Sequence, residues 1–358
     1  MYYRTIFNNQ ITIEQVYNNT VSEPTKYTVR NESDPPINNI RSSFNYTMLK
    51  NTLAAVTNEF DMSYTEYNIP KATGGYRLIS APNPTLKTLQ RTIYDTLIAL
   101  GATATDSAFA YESNRTVKDA MIRHQKNNSQ YFYKFDISNF FPSCTPEILK
   151  TNLKKVYPIC CFEEDVLDKL IYIAMHNNAL PQGSPLSPLL SNLIMTEFDY
   201  TMHYIVYRFT GVYTRYADDI IISFKEKHEL DWLQNIIQNR LATTVSPDLH
   251  LNTEKSKCGS IAGRNWHLGI MLNKDNKLTI GHKRHMELKA KINNFIFDFT
   301  NQNYWSIINT QRLQGELNWF KSIEPEYADF CIKRLEQKHN TQITLHQMMC
   351  RIIKGEVG

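Results

Sequence analysis

Three aspartates in two short segments are the residues of this sequence best suited to chemistry. Asp218 and Asp219 are adjacent in YTRYADDIIIS, and Asp136 stands among apolar residues in FYKFDISNFFPS. Carboxylates beside buried apolar residues are costly unless they are paired or bind a metal ion. Adjacent carboxylates are a common way to hold divalent metal. We therefore predict a divalent-metal site; a solvated Asp-Asp turn is the alternative for the pair taken alone.

The flanking residues predict the strands that must position these carboxylates. Tyr213, Arg215 and the three isoleucines after Asp219 are mostly strand formers, so the Asp pair should lie at or near a tight hairpin turn. Residues 132–137 predict a strand that carries Asp136, with residues 140–142 ending it.

A loop and a helix separate the two acidic segments. Residues 179–199 read ALPQGSPLSPLLSNLIMTEFD, a Pro- and Gly-rich loop followed by an apolar helix from about Ser187 to His203. A strand with one Asp, a Gln-Gly loop feeding a helix, and an Asp-Asp hairpin resemble, in that order, the palm motifs of reverse transcriptases. The Tyr-Ala-Asp-Asp form is typical of that family. The resemblance implies an α+β, right-hand polymerase fold with fingers, a palm whose antiparallel sheet carries the catalytic aspartates, and a helical thumb.

The resemblance also implies nucleotidyl transfer with two Mg²⁺ ions, for which Mn²⁺ can substitute. Asp136 and Asp218 would bridge the ions, Asp219 would lie close by, and the carbonyl of Ile137 would complete one shell. Lys255, in LNTEKSKCGS, matches the lysine of the next palm motif and would protonate the leaving pyrophosphate.

Two cations are expected to hold the triphosphate of the incoming nucleotide. Lys71 and Arg77 lie in YNIPKATGGYRLISAP, which predicts a hairpin with a Gly-Gly turn and resembles the fingers hairpin of bacterial reverse transcriptases. Fixed cations suit phosphate oxygens. Two solvated hairpin charges are the alternative.

Two further residues match positions that contact the sugar and base of the nucleotide. Gln182 would lie near the incoming sugar and base. Phe141, five residues beyond Asp136, matches the aromatic ring that excludes a ribose 2′-hydroxyl, which predicts selection of dNTP over rNTP. Phe140 should pack inward, because neighbouring residues of an extended segment point oppositely.

Template and primer contacts are expected from the fingers, from a primer-grip hairpin at residues 266–272 and from the thumb. The candidate residues are Arg115, Tyr216, Trp266, Leu268, Gly269, Lys283 and Arg284, with Lys289 and Lys291 as further thumb cations. A helix cap or an ion pair with Glu112 is the alternative for Arg115. Simple packing on the palm and a solvated helix face are the alternatives for the hairpin and the thumb.

The pattern of apolar residues divides the chain into three regions. Residues 1–42 form an Asn-rich N-terminal extension, residues 43–280 the fingers and palm, and residues 281–358 a helical thumb and tail. Helical spacing is predicted at residues 43–60, 84–101, 225–241 and 282–299, at the end of 109–124, and twice in 310–337 with a break near Pro325.

Composition is that of a folded chain of two or three subdomains. The 358 residues are 42% hydrophobic and 12% aromatic. From Asn252 onward there are 16 Lys and Arg against 10 Asp and Glu, and before it 23 against 25. The basic surplus lies where a polymerase would hold its duplex, although an ordinary basic face is equally compatible.

Cysteine usage and hydropathy indicate a cytoplasmic protein. None of the six cysteines forms a CxxC pair or a zinc-like spacing with histidine, so free thiols in a reducing compartment are expected. Neither a signal peptide nor a membrane-spanning apolar run is visible.

The sequence leaves several functions open. We expect an RNA-directed DNA polymerase that copies a structured noncoding RNA, with dNTPs, the RNA and the DNA product as partners, in anti-phage defence. The loop QGSPLSP and the segment WHLG depart from the usual retron pattern and favour a defence-associated enzyme over a typical retron. A group II intron protein or a retroviral-type element fits less well, because no maturase, RNase H or integrase segment is visible.

Two alternatives concern the chemistry itself. One is template-independent or protein-primed DNA synthesis by the same site, and the other is a non-catalytic RNA-binding scaffold. An effector protein or a homo-oligomer remains open as a partner.

Overall fold

The computed structural model describes residues 37–71, 74–263 and 268–357. The N-terminal extension therefore lies almost wholly outside the described residues, as does Trp266. Among the described residues the α-helices are α1 (Ile37–Arg41), α2 (Phe44–Ala54), α3 (Pro84–Ala99), α4 (Val117–Lys126), α5 (Phe140–Ser143), α6 (Pro146–Leu153), α7 (Glu164–Ala174), α8 (Ser187–Ile194), α9 (Thr196–Arg208), α10 (Leu230–Thr244), α11 (His282–Thr300), α12 (Ile307–Ile323), α13 (Pro325–Lys338) and α14 (Leu345–Ile353). The strands are β1 (Tyr64–Pro70), β2 (Tyr76–Pro82), β3 (Tyr131–Asp136), β4 (Val212–Tyr216), β5 (Asp219–Phe224), β6 (Lys257–Ser260), β7 (Met271–Leu272) and β8 (Leu278–Thr279).

A four-stranded antiparallel sheet, in the order β4-β5-β3-β6, forms the centre of the molecule. Strand residues alternate between its faces. Tyr133, Phe135 and Ile222 belong to one face and pack into the large core against helices. Asp136 and Lys134 belong to the other face, so the alternation directs the carboxylate away from that core. The predicted α+β class with an antiparallel acidic sheet is confirmed.

The hairpin β1-β2 extends from this body. Its register pairs Ile69 with Arg77, and Gly74 and Gly75 both take positive φ values in the connection. Only the end of β2 that joins α3 is buried. The predicted hairpin is therefore confirmed.

A second core lies at the C-terminal end of the chain. It combines residues of α11 to α14, such as Phe295, Phe320 and Met348, with the β7-β8 hairpin. The break between α12 and α13 falls at Pro325, as predicted. Ile280, just before the predicted boundary at residue 281, also belongs to this core.

Three predicted elements have different bounds. The helix expected from about Ser187 to His203 is two helices, α8 and α9, because Met195 between them leaves the helical conformation with ψ of 1°. The helix expected at residues 225–241 begins at Leu230, because the Tyr133 hydroxyl bonds to both the amide and the carbonyl of His228. The helix expected at 43–60 ends at Ala54.

Two expectations from composition can be compared with the described residues. All six cysteines are free thiols; Cys161 is buried and Cys160 half-buried. None of the helices within the described ranges combines the length and apolar character that a membrane crossing requires.

Candidate active site

The β4-β5 turn carries the adjacent aspartates. Tyr216 pairs with Asp219, so Ala217 and Asp218 form a two-residue connection. Ala217 has φ of +56°, a value that the first central position of a type II′ hairpin turn requires and that glycine adopts more easily. Asp219 is the first residue of β5 rather than part of the turn.

A buried ion pair between β4 and α9 stabilises this turn. The Nε and Nη2 atoms of Arg215 donate to the two carboxylate oxygens of Asp199, each at 2.7 Å, and both side chains are 0% exposed. The Nη1 atom of Arg215 donates to the carbonyl of Ala217 at 3.1 Å. The hydroxyls of Tyr213 and Thr105 also donate to Asp199. The turn is therefore tied to α9 through charge-assisted hydrogen bonds.

Burial and charge shift the pKa values of this network. Burial opposes the charge on Arg215, but the Asp199 carboxylate more than offsets it and raises the pKa of the guanidinium. Burial, together with Asp199, raises the pKa of Tyr213 well above its usual value. Sequence reasoning missed this network: it treated Arg215 as a strand former and ignored Asp199, although a carboxylate in an apolar helix was a usable signal.

The end of β3 meets the other side of the turn. Asp136 pairs with Asp219 in the sheet register. The amide of Ile137 donates to the carbonyl of Asp218 at 3.0 Å, and the amide of Asn252 donates to the carbonyl of Asp136 at 2.8 Å. These backbone bonds bring the three predicted aspartates to one place.

Two lysines pair with two of the three carboxylates. Lys255 Nζ lies 3.1 and 3.0 Å from the two carboxylate oxygens of Asp136. Lys134 Nζ lies 2.9 Å from Asp219. Burial, and then the charges of Asp219 and Asp136, raise the pKa of Asp218. The negative charge at Asp218 is therefore the one most in need of a cation.

The donor set suits a hard divalent cation, which prefers carboxylate oxygens. As the side chains lie, no three His, Cys, Asp or Glu residues in the described part of the chain are grouped closely enough to surround one ion. The ion pairs Asp136–Lys255 and Asp219–Lys134 are a physical reason for the distance between these carboxylates, because each lysine attracts its own partner. The residues present fit a metal ion once these lysines turn away.

A cleft of about 990 Å³ opens above the aspartates. The predicted residues that line it are Lys71, Arg77, Asp136, Ile137, Phe141, Gln182, Asp218, Asp219 and Lys255. The fingers hairpin faces the carboxylates across this space. It is held there because the Ser80 amide donates to the Gln182 carbonyl at 2.8 Å. A Cβ on Gly183 would lie 2.7 Å from the Ser80 carbonyl oxygen, so the contact requires glycine.

Phe141 reaches the cleft for a different reason from the one expected. Residues 140–143 form the helical turn α5 after Asn139, which has φ of +45°, so the segment is not extended. Phe140 is buried in the core as expected, and Phe141 is half-buried at the cleft. The helical rotation between neighbours, and not strand alternation, separates the two rings.

Arg115 braces its own loop. Its guanidinium donates to the carbonyls of Thr105 and Ala108 at 2.6 and 2.9 Å and pairs with Asp106 at 3.2 Å. With the expected alternative partner Glu112, Arg115 makes only a backbone contact, in which its amide donates to the Glu112 carbonyl at 3.4 Å. These contacts favour a structural role over a template contact.

The other template and primer candidates within the described residues lie outside the cleft lining. Arg284 donates to the Gly269 carbonyl at 3.2 Å and stacks over Trp319 at 5.2 Å, which ties α11 to the loop of Leu268. Lys283 is 87% exposed and near Glu287. Tyr216 is half-buried just before the turn, Lys289 bonds to Tyr327, and Lys291 pairs with Glu316.

Comparison with known proteins identifies the family. Residues 69–291 match the family described as reverse transcriptase (RNA-dependent DNA polymerase). Retron Ec83 reverse transcriptase of Escherichia coli is 30% identical over 282 residues, 77% of this chain and 86% of that protein. Retron Ec73 and Retron Ec86 reverse transcriptases, also of Escherichia coli, are 25% and 26% identical and are covered over 84% and 81% of their lengths.

A solved structure of apo telomerase from Candida Tropicalis superposes with a TM-score of 0.47 at 12% identity, over 82% of this chain and 64% of that one. No functional conclusion follows from that likeness. The family match begins at the end of β1 and covers β2, the acidic sheet and the Gln182 loop. The chain belongs to the reverse transcriptase family, with its right-hand polymerase fold, and is an RNA-directed DNA polymerase of the bacterial retron type.

Proposed function

We propose that this polymerase copies a dedicated structured noncoding RNA into DNA by two-metal nucleotidyl transfer in anti-phage defence. The observation that carries the catalytic part is the convergence of Asp136, Asp218 and Asp219 below a cationic hairpin in one cleft. That arrangement offers oxygen ligands on one side and phosphate-binding charges on the other.

Bound at the three carboxylates, two Mg²⁺ ions would activate the primer 3′-hydroxyl and stabilise the leaving pyrophosphate. Asp136 and Asp218 would hold them, with Asp219 and the carbonyl of Ile137 as further ligands. The raised pKa of Asp218 supports this assignment, because burial and two carboxylate neighbours disfavour its charge until a cation arrives.

Lys255 has two successive roles in the proposal. It neutralises Asp136 in the structure, 3.0 Å from one carboxylate oxygen. Its side chain is 60% exposed, so it can turn away when a metal ion binds. The released ammonium would then be free to protonate the leaving pyrophosphate.

The nucleotide would lie between the hairpin and the aspartates. Lys71 and Arg77 would neutralise the β and γ phosphates. Gln182 would contact the sugar and base, and the ring of Phe141 would exclude a 2′-hydroxyl by contact. All four residues line the cleft, which supports the assignment.

The retron-type part of the proposal rests on the relatives, and the noncoding RNA template and the defence role rest on the resemblance of the sequence motifs. The curated relatives named above are retron reverse transcriptases. Their names favour retron-type DNA synthesis over the other defence-associated enzymes that the QGSPLSP loop suggested. Leu268, Gly269 and the basic N-terminus of α11 would hold the primer and duplex.

Purification from the native host tests the proposal. Co-purifying nucleic acid would be sequenced and then extended with dNTPs and Mg²⁺, beside an Asp218→Ala, Asp219→Ala variant and a Glu226→Gln control. Glu226 is an exposed carboxylate just beyond β5. A defined RNA with complementary DNA, lost only in the aspartate variant, is the expected result, and deletion of the gene should sensitise the host to phage.

Other results would redirect the proposal. Homopolymer or untemplated DNA, or DNA that partitions into phenol, would indicate template-independent or protein-primed synthesis. Bound RNA without DNA under any metal condition would indicate a scaffold.

A further inference from the structure

Two of the three aspartates lie directly opposite each other in the central sheet. Asp136 on β3 pairs with Asp219 on β5. Residues that are opposite in an antiparallel pair share a face of the sheet, and like charges in that position are destabilising. A cation beside each carboxylate therefore stabilises the sheet whenever no metal ion is bound.

The two lysines that supply these cations differ in how firmly they are held. Lys255 belongs to the short 3₁₀ turn Thr253–Lys255, and its side chain is 60% exposed. Lys134 lies within β3, which is paired with β5 on one side and with β6 on the other, and its side chain is 32% exposed. Because water and salt screen exposed charges more strongly, the Lys134–Asp219 pair is the harder of the two to open.

The register of the sheet directs Lys134 to Asp219. Lys134 is opposite Ile221, and Asp219 precedes Ile221 by two residues on the same strand. Such diagonal neighbours share a face at a separation that a long side chain can bridge. The Nζ atom of Lys134 lies 2.9 Å from the Asp219 carboxylate. The ion pair thus follows from the strand pairing and does not depend on a loop.

A metal ion that uses Asp219 as a ligand must compete with Lys134. A unit charge repels a divalent ion twice as strongly as it repels a monovalent ion at the same distance. Mg²⁺ usually binds through one or two carboxylates together with substrate phosphates. A lysine beside the third carboxylate therefore lowers the affinity of the carboxylates alone for the ion, and the negative phosphates of a nucleotide would restore it.

We propose that Lys134 is a positioning residue that makes metal binding at the three aspartates depend on the nucleotide. By holding Asp219, it keeps the affinity of the nucleotide-free enzyme for divalent metal low. The triphosphate assigned above to Lys71 and Arg77 then supplies the negative charge that attracts the ions. This inference rests on the proposed two-metal function and adds to it a residue that controls when the metal ions bind.

Binding of Mn²⁺ to the full chain tests the proposal without requiring polymerisation. Electron paramagnetic resonance of free Mn²⁺ would give the dissociation constant, first for the enzyme alone and then with a dNTP analogue that cannot transfer its nucleotidyl group. A titration of the analogue without protein corrects for the metal that the analogue binds itself. For the unaltered enzyme we expect the analogue to tighten Mn²⁺ binding by about 5- to 150-fold.

Two variants of Lys134 separate its charge from its shape. Lys134→Met should tighten Mn²⁺ binding to the nucleotide-free enzyme at least about 10-fold, and the further gain from the analogue should shrink. Lys134→Arg keeps the cation and should bind Mn²⁺ as the unaltered enzyme does. Thermal unfolding would check that each variant folds, and Lys134→Gln replaces the methionine variant if that one does not.

Lys257→Met is the matched control. Lys257 lies opposite Lys134 on β6, on the same face of the sheet, and is exposed. Within the described ranges it makes no ion pair. Its substitution removes the same charge without releasing Asp219, so Mn²⁺ binding should change by less than about 2-fold.

Three outcomes would overturn the inference. They are unchanged Mn²⁺ binding after loss of the Lys134 charge, an equal gain in Lys257→Met, or an equal gain in Lys134→Arg. Failure of the proposed function looks different: Mn²⁺ binding would respond to Lys134 while the enzyme makes no templated DNA. Conversely, templated synthesis with a Mn²⁺ affinity that does not depend on Lys134 would reject the role of this lysine and retain the function.

Discussion

The buried Arg215–Asp199 pair should be the strongest single support of the β4-β5 turn. Asp199→Asn removes one charge and keeps the shape of the side chain. Arg215 then remains 0% exposed with its guanidinium opposite a neutral amide. Breaking a buried pair by removing one partner costs about 3–5 kcal/mol, because the remaining charge is buried without compensation.

A surface pair provides the matched control. Lys321 and Asp329 lie 3.0 Å apart with side chains 48% and 55% exposed. An exposed pair contributes about 0–1 kcal/mol, so Asp329→Asn should change stability by no more than that. The predicted difference between the two Asp→Asn variants is therefore about 2–5 kcal/mol in the free energy of unfolding.

Urea denaturation followed by circular dichroism measures that difference, and primer extension below the unfolding transition measures the effect on the site. Arg215 also donates to the Ala217 carbonyl next to Asp218, so a shift of the turn would misplace the carboxylate. A misplacement of about 1 Å costs up to about 10²-fold in rate. We expect kcat to fall at least 10-fold while the KM for dNTP changes little.

A double variant tests whether the unpaired buried charge causes the destabilisation. Replacing both partners, as in Asp199→Leu with Arg215→Met, should cost less than the sum of the two single changes, because no unpaired charge remains. The reasoning is refuted if Asp199→Asn is no more destabilising than Asp329→Asn, or if the double variant is additive.

Three other predictions follow from single side chains. Phe141→Ala should raise rNTP incorporation relative to dNTP at least about 10-fold in primer extension, while Phe141→Tyr retains the selection of dNTP. Equally strong rejection of rNTP by the alanine variant would contradict the assignment of Phe141 to sugar selection. Gly183→Ala would place a Cβ 2.7 Å from the Ser80 carbonyl oxygen, so it should destabilise the protein by about 1–3 kcal/mol and raise the KM for dNTP. Gly315→Ala, in open space on α12, should instead stabilise the protein by about 0.5–1 kcal/mol. Similar thermal shifts for both variants would show that the Gly183–Ser80 contact is unimportant. Burial lowers the pKa of His124 to about 3, so the unfolded chain binds the proton first as the pH falls. Stability should therefore fall by about 1.4 kcal/mol per pH unit between pH 6.5 and about 3. His124→Asn should flatten that slope in urea titrations at pH 7.5 and 5.5, and an unchanged slope would refute the role of this histidine.

The sequence predicted those parts of the structure that depend on local pattern. The strand-forming residues around Asp136 and Ile222 and the turn residues at Gly74 and Asp218 predict strands and hairpins, since both signals act over a few residues. Motif order then indicated which carboxylates share a site. The roles assigned to individual nucleotide and template contacts remain predictions.

Helix bounds depended on distant partners. Residues 225–229 could extend a helix by local propensity, but the hydroxyl of Tyr133, 95 residues earlier, holds the backbone of His228. The position of Phe141 likewise depended on a helical turn that follows Asn139 and that the aromatic pattern did not predict.

From the sequence alone we could derive three acidic residues, their strands and a polymerase-like order of motifs. Only the tertiary structure decided how their charges are compensated. Lys255 reaches Asp136 across 119 residues, and Arg215 meets Asp199 between a strand and a helix. Such pairs form because burial makes an uncompensated charge costly, and no local pattern records which distant side chain will satisfy it.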